Sequence, residues 1–255
     1  MVKFFEVKNK TQTNADVYFY GDIVSDSWGK WTDEDKCPQD IIDLLAECDG
    51  VEELNIYINS GGGSVWAGVA IYNILKRFNA KKTVHIDGLA ASIASVIALA
   101  GDEVIMPKNS FMMIHKAWCS TYGNADELRA TADMLDTIEK SIVNVYMENA
   151  LDGIEESFVK ELMAAETWLE AEKAAELFKN ITVSESVEAA ACISDYRYNN
   201  TPQGIFAVKS DVPAVKIQQK PQEQPENKQN QTVTAAEQLE NIKNFIFLEE
   251  ENENE

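Results

Sequence analysis

Histidine is scarce in this chain: His85 and His115 are the only two among 255 residues, so any imidazole-based proton transfer must run through one of them. Cysteine is nearly as sparse. Cys37, Cys48, Cys119 and Cys192 are scattered with no CxxC pair, which excludes a zinc ribbon and a dense disulfide framework and points to reduced thiols in a cytosol. Basic residues are also few, with 22 Lys and Arg against 43 Asp and Glu, for a net charge of −21. A surface of that sign opposes contact with phosphate backbones and anionic membranes, so neither nucleic acid nor membrane is expected as a partner. No run of about 18 apolar residues occurs, and the opening "MVKFFEVKNK" lacks the apolar core and cleavage site of a secretory signal. A soluble, cytoplasmic protein is expected.

What the chain does hold is alternation. "VYFYGDIV" reads as a strand, and "QDIIDLLAEC" as a helix with Pro38 in its first turn. "ELNIYIN" puts Leu54, Ile56 and Ile58 on one strand face, and Ala67, Ala70, Ile71, Ile74, Leu75 and Phe78 then recur at helical spacing. A second unit follows, with "KTVHIDG" as strand, "AASIASVIALA" as a small-residue helix, and the short strands "EVIM" and "FMMIH". This order predicts a layered α/β fold. A long amphipathic helix is predicted from "NADELRATADMLDTIEKSIVNVYMENA", capped by Asn124 with Glu127 three residues on, with Leu128, Leu135, Ile138, Ile142 and Val145 as its apolar stripe. The pattern fades after "TWLEAEKAAELF". Four of the six prolines (Pro202, Pro213, Pro221 and Pro225) lie in a Gln/Asn/Glu-rich segment from Thr201 onward. The sequence therefore divides into a patterned, folded domain over 1–200 and a mostly disordered tail over 201–255, with a short helix near 234–250 around Leu239, Ile242, Ile246 and Phe247.

The junction "INSGGGSVWAG" places three glycines between strand and helix. It fits neither GxxxxGK[ST] nor GxGxxG, so a phosphate or dinucleotide loop is not indicated. Backbone amides at such a turn can instead hold an oxyanion, with Gly63 allowing a carbonyl close approach. Oxyanion chemistry needs a nucleophile. "GLAASIAS" supplies Ser92 just after a strand, with Ser95 a competing candidate one turn later. His115 ends the strand "FMMI", where loops build sites, whereas His85 lies in mid-strand. Among 43 acidic residues chemistry alone selects none, although Glu166 precedes "TWLE", which reads as a capping box with Glu170 and would hold Glu166 in a fixed turn.

Four blocks in order, "YINSGGGSVWAGVAIYN", "GLAASIASVIALAG", "NSFMMIH" and "ETWLEAEKAAE", resemble the Clp-type serine peptidases over about residues 15 to 190. The resemblance implies a crotonase-like β-α spiral and a Ser-His-acid triad. Block by block it assigns the nucleophile to Ser92, the base to His115 and the acid to Glu166, with the amides of Gly63 and Ile93 as oxyanion donors. It implies a homo-oligomeric ring acting on protein or peptide substrates, with no metal or cofactor in the chemistry. Gly61 stands where the housekeeping enzymes carry proline, and Glu166 where they carry Asp. The tail and "GDIVSDSWGKW" are most similar to the Clp-related head maturation proteases of tailed phages and prophages, which implies capsid or scaffold protein as substrate. The alternative is a proteolytic subunit working with an AAA+ unfoldase. An acyl-CoA enzyme of the crotonase type, which needs no serine, and a non-catalytic scaffold are the remaining readings.

Overall fold

A computed structural model describes residues 10, 11, 13–32, 35–186, 198 and 201. The tail, its helix near 234–250, Cys192 and the 200/201 division lie outside the described residues or are not decided by them. Strand alternation builds the first layer. Asn14–Tyr20 (β1) buries Ala15, Val17 and Phe19, and Glu53–Ser60 (β2) buries Leu54, Ile56 and Ile58. The first strand stops at Tyr20 rather than continuing through "GDIV", because Gly21 turns the chain with φ 87°. Ile23 then makes only single bridges, to Lys36 and to Gly63.

Pro38–Glu47 (α1) carries its proline in the first turn, and Val65–Arg77 (α2) buries Ala67, Ile71 and Leu75 against the sheet. Lys81–Ala91 (β3) is longer than the predicted strand, and the helix after it, Ile93–Ala98 (α3), is shorter than predicted. Alanine favours helix, but Leu89, Ala90 and Ala91 pair with Phe111, Met112 and Met113 of Phe111–Ile114 (β5), so strand pairing prevails there. Glu103–Pro107 (β4) pairs with the first half of β3, at Thr83, Val84 and His85.

The long helix forms as predicted over Ala125–Asn149 (α4), with Asn124 Oδ1 accepting from Asp126 and Glu127 N–H and Glu127 Oε2 accepting from Asn124 N–H. Its stripe is covered only in its second half. Ile138, Ile142 and Val145 are buried, whereas Leu128 is 44% exposed. Glu156–Ala164 (α5) was not anticipated, although Phe158, Val159, Leu162 and Met163 are spaced for one buried helix face. The reading of "TWLE" as a capping box is corrected. Thr167–Glu170 is a strand (β6) antiparallel to β5, and the helix begins after it as Ala171–Leu177 (α6). Ile181–Ser184 (β7) closes the sheet beside β4.

The result is the α/β layering expected: parallel strands in the order β1-β2-β3-β4-β7, with β5 branching from the second half of β3 and carrying β6. Among the described residues no helix is long and apolar enough to cross a membrane.

Candidate active site

Three strands run parallel and end on one edge. Ser60 of β2 pairs with Ala90 of β3, and Ala91 pairs with Met113 of β5. The residues that follow these ends are the glycine turn, Ser92 and, after Ile114, His115. The register of β6 adds a fourth group. Thr167 pairs with Ile114, so Glu166 and His115 are the next residues outward on two adjacent strands. Carboxyl ends of parallel strands are where open α/β sheets place their ligands.

At this edge His115 Nε2 lies 2.7 Å from Ser92 Oγ. Ser92 caps α3 at φ 56° and ψ −128°, a sharp strand-to-helix turn of the kind that presents a hydroxyl clear of the backbone. The turn is held by the Ser92 N–H, which donates to Met113 O at 2.8 Å. Glu166 also has positive φ, 53°, in the turn after α5, where its N–H donates to Met163 O at 3.3 Å.

The glycine turn packs directly on this serine. A Cβ on Gly62 would sit 2.8 Å from Ser92 Cβ and 2.7 Å from Ala91 O. Gly63 is bracketed by Ile23, whose N–H donates to Gly62 O at 2.9 Å and whose C=O accepts from Ser64 N–H at 2.7 Å. Both groups of Ile23 are thereby used on the residues flanking Gly63, which leaves the Gly63 amide turned away from Ile23. Ile93 is the first residue of α3, and its N–H has no helical partner. Among the described residues, the two amides expected as oxyanion donors thus make no strand or helix hydrogen bond.

Burial pushes the His115 imidazole below its ordinary pKa, and the charge of Glu166 partly opposes this. Neutral imidazole able to accept a proton is the form favoured. Beside the pair lies a small depression, with room for about one water molecule, whose apolar walls are Val65, Ile93, Val96, Ala117, Ile142 and Tyr146. The competing candidates stand elsewhere. Ser95 is fully buried, its hydroxyl donating to Ser92 O at 2.6 Å and sharing a 2.8 Å hydrogen bond with Tyr146 Oη, so it serves packing. His85 stacks on Tyr57 at 4.7 Å in mid-sheet. Cys37, Cys48 and Cys119 are free thiols. Among the described residues no three His, Cys, Asp or Glu side chains are arranged to hold a metal.

Sequence reasoning did not single out Gly62, Gly68, Tyr146 or Tyr198. An isolated glycine inside a helical pattern was the available signal for Gly68, whose Cβ would fall 2.1 Å from Ile93 Cγ1.

The family model described as Clp protease matches residues 32–178. The chain is similar to the ATP-dependent Clp protease proteolytic subunit of Deinococcus radiodurans, 33% identical over 40% of this chain and 52% of that protein. The protein of the same name from Ligilactobacillus salivarius is 36% identical over 42% of this chain and 55% of its own length. The ATP-dependent Clp protease proteolytic subunit 1 of Salinibacter ruber is 31% identical over 52% and 58%. The chain spans about half the length of these relatives.

Proposed function

The chain belongs to the Clp protease family, and on that premise we propose that it is a serine endopeptidase with Ser92 as nucleophile, His115 as base and then acid, and Glu166 as the carboxylate that steadies the imidazolium. Ser92 Oγ, 2.7 Å from His115 Nε2 at paired strand ends and against a glycine turn, carries this reading. Ser92 Oγ attacks the scissile carbonyl carbon while its proton passes to His115 Nε2. The oxyanion accepts from the amides of Gly63 and Ile93. His115 then protonates the leaving amine as the C–N bond breaks, and a water molecule repeats the cycle on the acyl-serine to release the acid and restore Ser92.

Two biological settings follow from the sequence. The relatives' names support a proteolytic subunit serving an ATP-driven unfoldase more than they support phage head maturation. Self-association into a ring is supported by the uncovered first half of α4, with Leu128 44% and Met134 42% exposed. The head-maturation reading keeps one observation in its favour, the Gln/Asn/Glu-rich segment 201–255 with its apolar "NFIFL", suited to recruiting a partner.

Digestion of folded and unfolded proteins, with and without an unfoldase and ATP, separates the two when repeated on a chain ended after Gly204. The subunit reading predicts that folded substrate is degraded only with unfoldase and ATP. ATP-independent cleavage of a co-expressed capsid or scaffold protein, lost when the tail is removed, would replace it with head maturation. Failure of the full chain to cleave any peptide would overturn both.

A further inference from the structure

We infer that Tyr198 is a positioning residue of this active site, tying the glycine turn to the imidazole of His115; the inference rests on the serine-peptidase reading above. Its hydroxyl donates to the Gly61 carbonyl. Its ring meets the His115 ring edge to face, with centroids 5.4 Å apart and planes at 87°, and meets Trp168 in the same manner at 5.9 Å and 75°. The ring also packs on the small cluster of Leu89, Ala91 and Met113, apart from the main core. One side chain therefore touches the turn that leads to Gly63, the base, the strand that follows Glu166, and the strand end that carries Ser92.

Packing does not hold the start of the glycine turn. A Cβ on Gly61 would meet nothing within 4 Å, whereas one on Gly62 or Gly63 would strike backbone. The hydrogen bond from Tyr198 supplies at Gly61 a tether that packing does not. Tyr198 is not among the residues lining the depression on the Ser92 side. Its ring is part of the cover that keeps water from His115. The charged group acting on that imidazole is Glu166, since the neighbouring Lys116 ammonium is paired with Glu139 at 3.2 Å. The other phenol facing the site, Tyr146, bonds Ser95.

The test uses the full-length protein with carbon-13-labelled histidine, in unaltered form and as Tyr198→Phe and Tyr198→Ala. His85→Gln assigns the two imidazole signals. Tyr198→Ala is expected to raise the His115 titration midpoint toward the ordinary histidine value, because water reaches the ring, and to lower kcat about ten- to a hundredfold by loosening base and turn. Tyr198→Phe, which keeps the ring, is expected to leave the titration in place and to lose about three- to tenfold in kcat with little change in KM, the scale of one hydrogen bond. An unmoved His115 titration in Tyr198→Ala would overturn the inference. So would activity equal to or above that of the unaltered protein, which would make Tyr198 an obstruction. Were the unaltered protein inert toward peptides and fluorophosphonates alike, the serine-peptidase reading would fall, and the titration would still decide whether Tyr198 covers His115.

Discussion

Among the described residues two non-glycine positions hold positive φ, Ser92 at 56° and Glu166 at 53°, and both stand at the same strand edge. Such backbone costs about 1–3 kcal/mol and persists where the surroundings over-determine it, here through the Ser92–Met113 hydrogen bond and the turn that follows α5. The three glycines divide in the opposite way. Gly62 and Gly63, at φ 88° and 146° and with no room for a Cβ, are required by the turn, whereas Gly61 has space beside it and is not demanded by the turn. Glu166 is the residue whose role is most open to measurement. Its charge raises a His115 pKa that burial lowers, so Glu166→Gln is expected to shift the acid limb of the rate profile to lower pH. The plateau of kcat is expected to fall about a thousand- to ten-thousandfold, the cost of a misplaced tautomer. A loss under about threefold with an unmoved acid limb would assign the acid to another residue.

The elements set these residues by contact between neighbours rather than by length. α3 is only six residues long. It is fixed on one side by Ser95 bonded to Tyr146 of α4 and on the other by Gly68 of α2, against which Ile93 packs. Gly68→Ala should favour α2 as an isolated helix by about 1 kcal/mol, yet its methyl would displace Ile93 and with it the first amide of α3. Turnover is therefore expected to fall about tenfold or more while circular dichroism stays that of the folded protein. Unchanged kcat would show that the Ile93 amide does not matter to the reaction.

The alternation in β1 and β2, the cap at Asn124 and the strand-end position of His115 were all legible in the sequence. Other features were not. The extension of β3 through its alanines and the strand "TWLE" depend on pairing with β5, which no local pattern reports. Tyr198 touches the site from a stretch without periodicity. The choice between Ser92 and Ser95 rested on the motif, and the structure adds the physical reason that Ser95 is spent on Ser92 O and Tyr146.

At the scale of the whole molecule, one parallel sheet brings the ends of β2, β3 and β5 to a single edge, and the antiparallel β6 brings Glu166 to that edge next to His115 in register. Segments that are distant in the sequence, 60–63, 92–93, 115 and 166, thus meet there. The exposed apolar residues of α4, Leu128 and Met134, lie on an element apart from that edge. The most direct test of this account is incubation of the full-length protein with a fluorophosphonate, followed by mass mapping of the adduct. The account predicts a single modified residue, Ser92, with labelling abolished in Ser92→Ala, slowed in His115→Ala and retained in Ser95→Ala. An adduct on any other residue, or labelling that persists in Ser92→Ala, would contradict it.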